Sequence, residues 1–112
     1  MKLTSTVLLG FSLCGLVASL GAATPQENWD LHCAKCHAAD GSGNTKIGQK
    51  LKLKDYSKKE AQQAFTDEEA LAVIRDGKKD AAGKMAMNPY AEKLSAEEMQ
   101  ALVAFVRTLA KG

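Results

Sequence analysis

Cys33-Ala34-Lys35-Cys36-His37 places two thiols and an imidazole within five consecutive residues, and no other stretch restricts the fold as strongly. Near the end of a helix, residues three and four apart share a face, so Cys33, Cys36 and His37 can all be directed at one object. Two vinyl groups for thioether bonds and an iron for the imidazole are what a haem offers. C-x-x-C-H is the spacing by which c-type haem is attached. The competing chemistries ask for residues the chain lacks. Zinc needs four ligands; the nearby candidate is His32, and sequence neighbours such as His32 and Cys33 do not converge readily on one ion. A thioredoxin-like dithiol needs a βαβ context, and strand signals are almost absent. A disulfide between Cys33 and Cys36 would cross-link almost nothing.

The start of the chain bears on where such a site is made. A lone Lys2 precedes an apolar run from Val7 to Leu20, and the small residues Gly21, Ala22 and Ala23 follow. This is the layout of a secretory signal, with cleavage expected after Ala23. The run is interrupted by Gly10, Ser12, Gly15 and Ser19, and falls short of the ~20 strongly apolar residues a span prefers. Cys14 would leave with the signal; the bulky Leu13 before it spoils a lipidation site. The mature chain would be Thr24 to Gly112, 89 residues forming one domain. At that size a hydrophobic core alone supplies only a few kcal/mol. Two remaining cysteines exclude a disulfide framework, so the expected staple is an external group.

Helix signals dominate. Thr24-Pro25-Gln26-Glu27 reads as a capping box with proline at the first helical position, opening a helix through Trp29 and Cys33. Ser57-Lys58-Lys59-Glu60 can start a short helix to Phe65. Thr66-Asp67-Glu68-Glu69 is a second box, with Ala70, Leu71, Val73 and Ile74 behind it and a stop at Gly77. Ser95-Ala96-Glu97-Glu98 opens the longest helix, whose Met99, Leu102, Val103, Val106 and Leu109 follow one buried helical face. Residues 38–55 and 78–94 read as loops with few apolar anchors. Long loops in a small domain need something to wrap around, which again points to a bulky guest. The expected fold is all-α, three to four helices around one covalently attached haem.

With these residues in place the chain resembles the class I c-type cytochromes, small secreted single-haem proteins. The resemblance covers nearly the whole mature chain. It includes an aromatic-bearing first helix running into CAKCH, the Gly-rich AADGSGNTKIG, a helix ending Ile74-Arg75-Asp76-Gly77, a Met-containing loop and the closing LSAEEMQALVAFVRTL helix. It implies a cytochrome c fold in which the first and last helices cross, with Trp29 and Phe105 as aromatic contributors. One feature departs from the family. Its members commonly carry a proline after the histidine whose carbonyl accepts the imidazole's second N–H; Pro25 and Pro89 are both misplaced for this. A carbonyl near Ile47 or Gly48 is expected to substitute, because an iron-bound histidine needs its other nitrogen fixed.

His37 provides one axial ligand, and Met/His ligation is the cytochrome c arrangement, which raises the reduction potential. Met99 lies on the core face of the last helix, where methionine packs. Met85 and Met87, in GKMAMNPY, remain, and alternation does not separate them because residues i and i+2 of an extended segment face the same way. The family's loop register, three residues before an aromatic and about seven before the leucine ahead of the final helix, selects Met87 over Met85, counting to Tyr90 and Leu94. Pro89 holds Asn88 out of the α region, giving a stiff strap that suits the same choice. His32 lies on the same segment as His37 and does not readily reach the opposite side of the iron.

With both axial positions filled by protein, the expected role is electron transfer rather than catalysis. The chain would be a periplasmic one-electron carrier between a membrane donor and a terminal oxidase, reductase or dehydrogenase. The alternative is an electron-entry subunit dedicated to one oxidoreductase. A peroxidase would require an open iron position and a distal acid–base residue. Without Lys2, 14 basic side chains face 13 acidic ones, which does not suggest a nucleic-acid partner. Lys46, Lys50, Lys52, Lys54, Lys58 and Lys59 cluster in sequence and could form a basic rim for an acidic partner; a simply solvated surface accounts for them equally well. A monomer without stable membrane insertion is expected.

Overall fold

Three capping boxes frame the structure. Thr24 accepts from the Glu27 N–H while the Glu27 carboxylate reaches back to the Thr24 N–H, and Thr66 with Glu69 and Ser95 with Glu98 repeat the arrangement. Each satisfies two donors that a helix start leaves orphaned. The computed structural model describes Gly10 and residues 23–111; the expected signal segment, Cys14 included, otherwise lies outside the described residues. Helix α1 (Pro25–Asn28) continues through a π-helical turn (Trp29–Cys33) into α2 (Ala34–His37). Then follow α3 (Lys46–Leu51), α4 (Lys59–Gln63), α5 (Asp67–Asp76), strands β1 (Lys78–Lys79) and β2 (Met85–Met87), and α6 (Ala96–Thr108).

Helix α6 supplies most of the core. Met99, Leu102, Val103 and Val106 are buried along one stripe, Leu102 at 1% exposure, and Leu109 is partly buried beyond them. Each such side chain contributes about 1.5–3 kcal/mol on burial. Trp29 and Leu94 complete the buried set. The first helical run meets α6 as the resemblance implied: the Trp29 and Phe105 rings lie 5.6 Å apart, tilted by 48°. The buried Asn28 locks this crossing by donating from Nδ2 to Glu98 at 2.8 Å.

At the other end of α6, Arg107 gathers the middle of the chain. It donates to the Phe65 carbonyl at 2.9 Å and to Asp67 at 2.9 Å, and its guanidinium lies 4.2 Å from the Phe65 ring centroid. The buried Gln62 donates from Nε2 to the carbonyls of Tyr56 and Val106, both at 2.7 Å.

Three local features differ from the sequence reading. Helix α3 forms within residues 38–55, read above as loop; Thr45 caps it by accepting from the Gly48 N–H at 2.8 Å, without the Glu that completes a capping box. Helix α4 is shorter than expected, because Ser57 is held by Asp55 instead of capping it, and Lys58 at the cap offers no acceptor. The methionine segment pairs as a short antiparallel ribbon, Lys78 opposite Met87 and Lys79 opposite Met85, with an irregularity of register between the two lysines. Two or three residues per strand leave too little alternation to read as strand.

The Asn28 amide is the largest influence holding the Glu98 carboxyl below the usual glutamate range, helped by the Ser95 N–H. A depressed folded-state value contributes stability above the ordinary range and loses it as pH falls through the lowered value. The stability difference between wild type and Asn28→Ala should therefore shrink with acidification across that window, as read by urea denaturation at a series of pH values.

Candidate functional site

The Cys33–His37 segment ends a helix, where carbonyls lack intrahelical partners. Here those carbonyls are taken by donors from elsewhere in the chain. The Thr45 hydroxyl donates to the Cys36 carbonyl at 2.7 Å, and the Gly43 N–H to that of His37 at 2.8 Å. The Trp29 indole N–H donates to the Ala38 carbonyl at 3.1 Å. One turn earlier, the Tyr90 hydroxyl donates to the His32 carbonyl at 3.0 Å. Ala38, which ends the helix, takes φ 67°, uncommon for a residue with a Cβ.

Gly48 explains how closely this frame is drawn. A Cβ there would stand 2.1 Å from the Gly43 carbonyl oxygen and 2.6 Å from that of Cys36, both backbone atoms that cannot yield easily. Only glycine lets α3 pass beneath the attachment segment.

Cys33 and Cys36 are free, half-buried thiols. Burial, with the Cys36 thiol adding to it, pushes Cys33 up to about 11. It is a protonated thiol at neutral pH, the opposite of the low-pKa thiolates that perform disulfide exchange. Among the described residues no group of three or more His, Cys, Asp or Glu side chains is placed to hold a metal ion.

His37 is half-buried against two rings. Its centroid is 5.5 Å from Tyr56, stacked at 29°, and 5.6 Å from Trp29, tilted at 38°. Burial lowers its pKa, favouring the neutral imidazole that ligates metals. Its Nδ1 is buried and has no hydrogen-bond partner among the described residues. In the stretch around Ile47 and Gly48, where its acceptor was expected, the Gly48 carbonyl accepts from the Leu53 N–H at 2.9 Å and from the Lys52 N–H.

The methionine strap is tied to the same segment. Beyond β2, the Tyr90 N–H donates to the Ile74 carbonyl at 2.9 Å and the Ala91 N–H to that of Arg75 at 3.3 Å, so the strap hangs from the end of α5. Gly77 permits this approach, since a Cβ on it would lie 2.4 Å from the Met87 carbonyl oxygen. The Tyr90 hydroxyl then pins the strap to the attachment segment. Burial raises the Tyr90 phenol, with Cys33 and Cys36 near enough to raise it further. Met87 is half-buried, whereas Met85 is 44% exposed. The other histidine, His32, meets Tyr90 edge-on at 5.4 Å.

The Cytochrome c family model matches residues 22–110. The chain belongs to the cytochrome c family. Among solved structures it is similar to the KustC0563 c-type cytochrome, at 31% identity and a TM-score of 0.67, covering 80% of this chain and 100% of that one. A tyrosine-to-phenylalanine mutant of Kustc0563 matches at 31% identity and a TM-score of 0.64, covering 78% of this chain and 99% of the other. No curated protein matches. The fold is the all-α cytochrome c fold, and the family's cofactor is one covalently bound haem c. The residues of this cytochrome fit that group: two free thiols at the attachment spacing, and beside them a half-buried imidazole whose pKa burial lowers, toward the neutral form that ligates metals.

The sequence reading named Cys33, Cys36, His37 and Met87. It missed Thr45, Tyr56 and the Tyr90 hydroxyl, which hold them. Thr45 is a cap-type residue, but Gly48 three residues on leaves it without a capping-box signal; the aromatic contacts carry no short-range signal. Gly48→Ala should lower the stability of the holoprotein by about 3 kcal/mol, the upper end for overpacking because backbone atoms are struck, measured by guanidinium denaturation.

Proposed function

We propose that this cytochrome is an exported monohaem electron carrier. Cys33 and Cys36 carry the thioether bonds, and His37 and Met87 are the axial ligands, with Met85 as the runner-up. The haem, when bound, supplies a one-electron Fe(II)/Fe(III) couple. Cys33 and Cys36 would fix its position, and His37 and Met87 would ligate the iron, leaving it no position for substrate or water. A neutral thioether favours the ferrous form and so raises the potential.

The observation that carries this reading is the Tyr90–His32 hydrogen bond of 3.0 Å. It joins the methionine strap to the attachment segment, so both candidate ligand sources border one region. The lower exposure of Met87 favours it over Met85.

Export and cleavage after Ala23 belong to the same proposal and would put the mature protein in the periplasm or an equivalent compartment. Among the described residues no helix is long and apolar enough to cross a membrane. A monomer exchanging electrons with a membrane donor and a terminal oxidase, reductase or dehydrogenase fits an exposed lysine set, Lys46, Lys50, Lys52, Lys54, Lys58 and Lys59. The second reading, a subunit dedicated to one oxidoreductase, calls for a contiguous exposed apolar patch, of which Leu31, 75% exposed, is a single side chain.

The optical spectrum of Met87→Ala should lose six-coordinate His/Met character, while that of Met85→Ala keeps it; the reverse result would make Met85 the ligand. Electron transfer to an acidic partner should slow as ionic strength rises, following the screening of exposed charge. A rate indifferent to salt would instead favour the dedicated subunit.

A further inference from the structure

A ligating imidazole ordinarily has its second ring N–H fixed by a carboxylate, a backbone carbonyl or water, which sets the ring plane and raises ligand basicity. His37 has no such partner among the described residues: Nδ1 is buried and unpaired. Four carbonyls of this part of the chain accept from other donors. That of Cys36 accepts from Thr45, that of His37 from Gly43, that of Ala38 from Trp29 and that of Gly48 from Leu53 and Lys52.

What His37 does have is two rings, each held in place by bonds of its own. Trp29 is buried, fixed by its indole N–H on the Ala38 carbonyl and by Phe105 at 5.6 Å. Tyr56 stacks on His37 and is held by the backbone at both ends. Its N–H donates to the Gly41 carbonyl at 2.8 Å, and its carbonyl accepts from the buried Gln62 at 2.7 Å. Phe65 meets the Tyr56 ring edge-on at 5.6 Å. Offset aromatic pairs at such separations are stabilising beyond the area they bury, on the scale of a net hydrogen bond.

We infer that Tyr56 and Trp29 are positioning residues that fix the plane of His37 by packing, in place of a hydrogen bond from its second ring N–H to a carbonyl. The inference rests on the reading of His37 as an axial ligand. It has an electronic consequence as well as a geometric one. An imidazole whose N–H has no acceptor is a weaker donor than a hydrogen-bonded one, so less electron density reaches the iron. The ferrous state is then favoured, in the same direction as the thioether favours it.

The test uses the reduced, diamagnetic holoprotein and nitrogen-15 NMR of the His37 ring. In the wild type, the ring N–H should show no scalar coupling to any carbonyl carbon, yet exchange slowly with solvent because it is buried. Tyr56→Leu removes the ring and admits water to the nitrogen. Exchange should then accelerate about tenfold or more, and the ferrous-to-ferric ratio at fixed applied potential should fall. A tenfold fall corresponds to 59 mV for a one-electron couple. Tyr56→Phe, which restores the ring without the hydroxyl, should return exchange to within about threefold of the wild type. A carbonyl coupling in the wild type would overturn the inference without recourse to any variant. So would slow exchange retained in Tyr56→Leu, or a Tyr56→Phe variant as fast as Tyr56→Leu. The underlying reading fails separately: if His37→Ala keeps a six-coordinate low-spin spectrum, His37 is not the ligand and the inference falls with it.

Discussion

The end of a helix is the costliest place to bury, because its last carbonyls have no partners of their own. This cytochrome keeps Cys33, Cys36 and His37 at such an end. Cys36, His37 and Ala38 each present a carbonyl to a donor from another part of the chain, as His32 does one turn before. The donors come from positions 29, 43, 45 and 90. The attachment segment is thus the point at which the first helical run, the turn before α3 and the methionine strap are joined. A side chain there is positioned by the whole chain rather than by its own helix.

Among the described residues the buried apolar set is small: Trp29, Leu94 and four residues of α6. Around it lies a wider shell of half-covered apolar groups, including Cys33, Tyr56, Phe65, Leu71, Ile74, Tyr90 and Phe105. Half-covered aromatic surface of this extent is what a planar, largely apolar group can complete. The cofactor then serves as structural core as well as redox centre, in keeping with the limits on small domains.

The parts legible in the sequence were those written in local chemistry. Thr24, Thr66 and Ser95 each stand three residues before a Glu, and all three boxes form. The α6 stripe follows from spacing alone. Helix α3 was missed because its start has Thr45 but no acidic partner, and because Gly48 lowers its helix propensity; that glycine is there for clearance. The ribbon was missed for its brevity. Tyr56 and Gln62 were invisible for a different reason. Their work depends on partners such as Val106, brought alongside only by the completed fold.

The π-helical turn at Trp29–Cys33 alters rotational phase. Along an unbroken α-helix, residues eight apart diverge by about 80° around the axis, at about 100° per residue. A π turn accommodates one additional residue, so Trp29 and His37, eight apart in sequence, stand about as seven apart would. That is the spacing of one helical face. The inserted residue therefore lets an indole anchored in the core and an imidazole at the helix end look the same way.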